Sequence, residues 1–557
     1  MKKLYALAVA GVLPAMAMAQ AAVDAYQLSH SDLRGTARFM SMGGAFTALG
    51  GDMSTLNQNP AGIGIYRSSE IGLTLNLNFQ SATTEAQGVK MTDDHTKFTF
   101  NNFGYIGTTH LYSDVMPTFS WGATYSRTVS MDRVYRGGFG SLDASLSNLV
   151  AAATNSEGWN SDDLSSSKDY NPYVDSYAPW LSILSYQGFV INPDASGNNF
   201  QGLMGDGTTG SASYAVRQKG YIDEYAINFG GNIYNTLYWG LGFGITDIDF
   251  TQISYYDENL DNAYIAAQAA NATNGADPYY QTRGKGYYRL DNYLNSTGTG
   301  FNVKFGLIFK PINELRIGFA VHTPTWYQMT DTYYATMDYR YTPSDSRFAE
   351  NASTSKDYPM TNDGYESWND YDMRTPWRMM VGVAGVIGGQ GILSLDYEYR
   401  GTQTMKLSDV DGNEYTDVTS DVKRYYKGTN ILRLGAEYRV TPQFSLRAGY
   451  SYESSPVKEE ASSGREAVWT AGTIPSYTFD KTTQYITCGL GFRTGGFYAD
   501  LAYVHKRRES SYHAFSPLIE NGVILETSPT ASLVDNNNQV VLSIGSVSYT
   551  HLRAHET

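Results

Sequence analysis

The sequence predicts an all-β fold, a 14-stranded antiparallel transmembrane β-barrel with an N-terminal segment inside the lumen and helical insertions in its outer loops. Three observations predict it: period-2 runs along the whole chain, connections that alternate between short and long, and an excess of tyrosine. Residues 71–80, IGLTLNLNFQ, put Ile71, Leu73, Leu75, Leu77 and Phe79 on one face and Gly72, Thr74, Asn76, Asn78 and Gln80 on the other. That alternation is a strand with one apolar and one polar side. It returns at 98–107, 118–126, 221–233, 239–246, 301–309, 315–323 and 377–387. It returns again at 392–400, 431–440, 444–453, 483–493, 497–506 and 538–545, fourteen runs in all.

Short turns fall near 111–116, 234–237, 310–313, 388–391, 441–443 and 494–496. Between them lie long polar segments around 134–219, 251–290, 336–374, 409–426, 456–480 and 508–536. Outer-membrane barrels have tight periplasmic turns and extended outer loops, whereas a soluble sandwich has no reason to alternate its loop lengths. The 46 tyrosines suit aromatic girdles at the two membrane interfaces. A mean hydropathy of −0.36 fits as well, because only alternate residues of each strand meet lipid.

The chain opens MKKLYALAVAGVLPAMAMAQ: two lysines, an apolar run, then small residues at Ala17 and Ala19. This reads as an export signal over 1–19 with a cut expected after Ala19, which takes the mature protein out of the cytoplasm; with the barrel pattern, the outer membrane of a Gram-negative bacterium is the expected location. No cysteine follows the cut to carry a lipid anchor, and the single cysteine, Cys488, cannot form an internal disulfide. A net charge of −15 argues against a nucleic-acid partner.

The strand register puts Lys304, Arg316, His322, Asp396, Glu398, Arg400, Arg433, Glu437, Arg439, Arg447 and Glu453 on the inward face. Charges facing lipid cost several kcal/mol near the midplane, whereas lumen charges pair across strands. Two readings follow for the cations: structural ion pairs, or contacts for an anionic head group. Helical composition and spacing occur at 141–154, 178–189 and 259–273. Helices there would cap the barrel mouth or offer a hydrophobic landing site. Residues 20–67, ahead of the first strand, do not alternate; small residues and an Asn59-Pro60 turn suit a chain packed compactly inside a cylinder.

Residues 35–64 read GTARFMSMGGAFTALGGDMSTLNQNPAGIG. The combination of Ala37-Arg38, Met42-Gly43-Gly44-Ala45-Phe46, Asp52 and Asn59-Pro60-Ala61-Gly62 resembles the N-terminal signature of FadL/TodX-type outer-membrane transporters of long-chain fatty acids and hydrocarbons. The resemblance implies a hatch over 20–67 inside a barrel over 68–545. It assigns the hatch motif to Asn59, Pro60, Ala61 and Gly62, beside a glycine run at Gly43, Gly44, Gly50 and Gly51. It implies passive uptake of a hydrophobic ligand, released sideways into membrane lipid through an inward kink in the third strand, here about 116–133, whose half 126–133 (SRTVSMDR) is polar enough to be irregular. Arg38, Lys304, Arg316, Arg433 and Arg447 are the candidate contacts for a ligand head group. A monomer, inserted by the barrel-assembly machinery, is expected.

Other chemistries find less support. GGAFTALGGD is no phosphate cradle, since no strand precedes it and no Lys-Ser/Thr ends it. Asp409, Asp411, Asn413 and Asp417 resemble a calcium loop only loosely, with the glycine misplaced. The eight histidines show no metal-ligand spacing, no Gly-x-Ser-x-Gly elbow occurs, and neither an enzyme nor a cofactor is expected. The rival reading is a barrel of the same broad family acting as a protein-secretion shuttle or surface receptor, with haem the weakest option. Residues 546–557 lack the terminal aromatic residue of a barrel protein and are expected to be a non-native tail.

Overall fold

The computed structural model describes residues 21–548 apart from 195–198, 273–277, 355 and 521–522. The export signal and all but the first three residues of the expected tail lie outside the described residues. Fourteen strands form one closed antiparallel barrel. The first four are β1 (Ser69–Ala86), β2 (Val89–His110), β3 (Thr118–Ser130, resuming over Arg133–Phe139) and β4 (Thr209–Ile233). Next come β5 (Leu237–Ala267), β6 (Tyr280–Ile312), β7 (Leu315–His322, resuming over Trp326–Pro343) and β8 (Ser367–Arg374, resuming over Arg378–Ile387). The last six are β9 (Gly391–Arg400), β10 (Thr429–Arg439), β11 (Phe444–Glu453), β12 (Tyr477–Thr494), β13 (Phe497–His513) and β14 (Thr530–Ser548). The cylinder closes where β14 pairs with β1, from Ser69↔Ser548 to Glu85↔Ser532. Each strand expected from alternation falls on one of the fourteen.

The pleat sorts the residues as the alternation requires. On β9, Leu393, Leu395 and Tyr397 face out while Ser394, Asp396 and Glu398 are buried inside. Ile317 and Phe319 on β7, and Leu501 and Tyr503 on β13, continue the outward apolar band. A membrane strand needs about 9–11 residues, yet β5 and β6 run for 31 and 33 and stay paired as far as Ala267↔Tyr280. The wall therefore rises well clear of the bilayer on the outer side.

This corrects part of the loop assignment. Much of 251–290 and 336–374 is strand, and of the helix expected at 259–273 the described residues 259–272 are not helical: Asn259 to Ala267 belong to β5, with a bulge between Leu260 and Ala263, and residue 273 lies outside the described residues. The alanines favour a helix locally, but Ala263, Ile265, Ala266 and Ala267 are buried against the barrel's crown, so tertiary packing decides. The other two helices form as expected, α1 of the crown (Leu146–Glu157) and α2 (Trp180–Gln187). Their Val150, Ala151, Ile183 and Leu184 share a core with the inward Tyr214, Tyr256, Tyr288 and Tyr341 of the raised wall.

Inside the cylinder lie residues 21–66: helices Ala22–Leu28 and Ala37–Ser41, then 3₁₀ turns Met53–Asn57 and Pro60–Ile65. The helix at Ala37 packs on β11 to β14, and the turn at Pro60 packs on β3 to β6 across the ring. A segment touching opposite sides of a closed wall fills its interior.

Candidate functional site

The interior segment is held by backbone as much as by side chains. Gly43, Gly44, Gly50 and Gly51 all have φ between 61° and 74°, the left-handed region that favours glycine. Asp52 caps the first 3₁₀ turn, accepting from the Ser54 N–H at 2.9 Å while the Thr36 hydroxyl donates to it at 2.8 Å. Asn59 caps the second: its Oδ1 accepts from the Ala61 N–H at 3.0 Å. The same side chain's Nδ2 donates to the carbonyls of Thr47 at 2.6 Å and Leu307, on β6, at 3.3 Å. Pro60 occupies the first position of that turn, where its missing N–H costs nothing. The wall answers with its own glycines. A Cβ on Gly240 would overlap the Pro60 backbone, on Gly306 the Asn59 side chain, on Gly318 the Thr47 carbonyl and on Gly449 the Gly43 nitrogen.

All five candidate head-group cations are engaged internally. Arg38 and Arg447 both bind Glu437, at 3.0 and 2.6 Å, and Arg447 also binds Asp500 at 2.6 Å. Arg433 reaches Glu398 at 2.6 Å, Lys304 pairs with Glu224, and Arg316 donates to the Leu49 carbonyl at 2.6 Å. Glu398 gathers Arg378 and Arg400 as well. Of the other inward charges, His322 binds the Gln58 carbonyl at 2.8 Å, while Arg439 is exposed at the periplasmic rim.

The wall is incomplete at one place. Pairing between β2 and β3 runs only from Asn102↔Ser126 to His110↔Thr118, although β2 stays paired with β1 as far as Val89. Beyond Ser126, β3 bulges between Arg127 and Val129, breaks at Met131 and Asp132, and resumes against β4 alone. Its outer part turns inward: Arg133 pairs with Asp535 of β14, Tyr135 packs edge-on to Tyr512 of β13, and Thr84 of β1 donates to the Arg136 carbonyl. Only side chains span the gap, through Lys97–Asp132 at 2.6 Å and Arg136–Asp93 at 3.3 Å. The irregular stretch lies where the sequence placed it, in 126–133.

Beside this gap is a cavity of about 120 Å³, bounded by the helix Ala22–Leu28, the β3 break, residues 470–478 and the inner faces of β12 to β14. Sequence reasoning missed this cavity, whose lining comes from an interior helix, the β3 break, a loop and scattered strand positions and forms no motif. An aromatic line leads towards it from outside. Tyr177 and Tyr365 are exposed on the crown, Trp180 contacts Tyr173 at 5.3 Å and Tyr333 at 5.2 Å, and Tyr333 lines the cavity. Among the described residues no group of three or more His, Cys, Asp or Glu side chains is placed to hold a metal ion. The Asp409 carboxylate instead accepts from the Asp411 and Asn413 N–H groups at 3.0 and 2.8 Å, closing a solvated turn.

Fold and interior together define a class, a transmembrane β-barrel whose lumen is filled by its own N-terminal segment. No family model matches the chain, and no curated protein matches it in sequence. Among solved structures it is similar to a FadL homologue of Pseudomonas aeruginosa, at 12% identity and a TM-score of 0.48, covering 93% of this chain and 99% of that one. It is similar also to the toluene transporter TodX of P. putida, at 14% identity and a TM-score of 0.43, covering 93% of this chain and all of that one. The toluene transporter TbuX of Ralstonia pickettii stands at 13% and 0.41, with 93% of this chain and all of that one covered.

Proposed function

We propose that this protein is a passive outer-membrane transporter of hydrophobic small molecules, long-chain fatty acids or aromatic hydrocarbons, released sideways into the membrane. The observation that carries the reading is the missing ladder between β2 and β3 beside a lumen cavity, above an interior segment that fills the lower lumen. An apolar molecule that leaves through the wall stays out of water, which is worth about 0.8 kcal/mol per CH₂. The crown aromatics offer it a first landing site, and residues 20–67 act as the hatch that denies the straight route. The engaged lumen cations favour the ion-pair reading over the head-group one.

A reversible clamp tests the route. Lys97 and Asp132 face each other across the gap, so Lys97→Cys with Asp132→Cys, in a Cys488→Ser background, can be joined by oxidation or a short crosslinker. Cells carrying the clamped protein should take up labelled fatty acid or alkylbenzene no faster than cells lacking the gene, and reduction should restore uptake. Unchanged uptake with the clamp closed would remove lateral release.

A further inference from the structure

The cavity beside β3 has a chemistry of its own. Its lining holds five carboxylates, Asp24, Asp32, Asp132, Asp480 and Asp535, against three cations, Arg133, Lys506 and Arg508, with Lys97 behind Asp132 as a fourth, so that Asp24 is the carboxylate in surplus. Every one of those cations already has a carboxylate. Arg133 pairs with Asp535, Lys506 with Asp32, and Arg508 with Asp32 at 3.0 Å and Asp480 at 3.6 Å. A ligand carboxylate entering here would add to a negative surplus, or strip a cation from a buried partner and leave that partner unpaired. Breaking a buried pair in that way is strongly unfavourable.

Part of the hydrogen-bonding capacity of the same wall, on neutral and charged side chains alike, is unspent among the described residues. Buried Oε1 of Gln80, Oδ1 of Asp535 and Oδ1 of Asn537 have no hydrogen-bond partner in the protein, and neither do Nε of Arg133 and Nε of Arg508. These atoms are neighbours by register: Gln80 lies opposite Asn537, and Asp535 opposite Arg508. Adjacent strands are about 4.8 Å apart, so these acceptors and the Arg508 donor share a patch the width of a small polyol or sugar ring. Unmade bonds of this kind cost about 1–3 kcal/mol each in a dry site, and hydroxyl or amide groups can satisfy both kinds at once. The volume, about 120 Å³, suits a head group and not a whole long chain.

Resting on the transport reading above, we infer that among amphiphilic cargo this cavity prefers an uncharged, multiply hydrogen-bonding head, such as the glycerol or sugar ester of a fatty acid, over the free carboxylate of the same chain. The head occupies the patch on β1, β13 and β14 while the tail lies toward the gap.

The test compares tail-matched ligands on the full-length mature protein in nanodiscs, read by native mass spectrometry at neutral pH. The probes are 1-lauroylglycerol, laurate and butylbenzene. The glycerol ester should bind at least about ten-fold more tightly than laurate, the ratio that one lost buried hydrogen bond sets. Asn537→Leu should weaken binding of the ester about ten-fold, narrowing that preference, while laurate binding stays as it was. Laurate binding as tightly as the ester would overturn the inference. Butylbenzene binding with neither amphiphile would overturn it too while the transport reading survives, and no binding of any probe would remove both.

Discussion

Asn59 shows how much one side chain can hold. It caps its own turn, donates to the interior segment at Thr47 and donates to the wall at Leu307, all from a fully buried position. Asn59→Ala should loosen the interior segment by about 1–3 kcal/mol, with barrel assembly intact: heat-modifiable gel mobility unchanged, protease cuts appearing within residues 21–66. Lost mobility would instead make the motif scaffold for the barrel. Glu258 does the corresponding work in the crown, accepting from the Ser145 hydroxyl, the Leu146 N–H at 2.9 Å and the Tyr256 hydroxyl at 2.9 Å. It lies on the raised part of β5, clear of the membrane. Burial pushes its carboxyl above the ordinary 4.5 despite those three donors. A raised acid stabilises the docked crown fully below that ordinary value, and the contribution fades as pH climbs through the raised one. Cleavage of the crown should therefore increase as pH climbs above about 4.5, and Glu258→Gln should flatten that dependence.

At the scale of elements, what could be read in advance divides at the membrane surface. Within the bilayer, lipid outside and polar groups inside impose alternation, so Leu393, Leu395 and Tyr397 announce β9 unaided. Above it the outward face is polar and the inward face meets a tyrosine-rich core, so alternation of hydrophobicity fades and the strand extensions of β5 to β8 read as loops. The same loss explains the false helix expected at 259–273, where six alanines outweighed a sheet register visible only in three dimensions. The polar half of β3 was legible as irregular, because Arg127 and Arg133 break the apolar face. That it turns inward was not, since this depends on Asp535 and Tyr512, about four hundred residues away. Arg133→Ala should accordingly let the outer half of β3 move. It removes one member of a buried pair at a cost of about 3–5 kcal/mol, and faster hydrogen exchange over 133–139 and 212–218 is the expected sign.

For the molecule as a whole, the decisive fact is that the interior segment and the wall are built for each other. Barrels of eight strands fill with their own side chains, while those of sixteen to eighteen leave a water channel. Fourteen strands lie between, and here the interior is occupied by a segment whose backbone lies flush against wall glycines and whose Arg38 and Asp32 are tied into wall ion pairs. The intact protein should therefore carry no steady ion current in a planar bilayer. Gly240→Val with Gly306→Val puts side chains where Pro60 and Asn59 now sit, on adjacent strands in register. The barrel has no reason to fail, because valine suits a strand, but the second 3₁₀ turn can no longer seat. Discrete conductance steps should appear, together with protease access to residues 53–65, at unchanged heat-modifiable mobility. A silent bilayer with that segment cleaved would mean that the raised crown, and not the hatch, closes the pore.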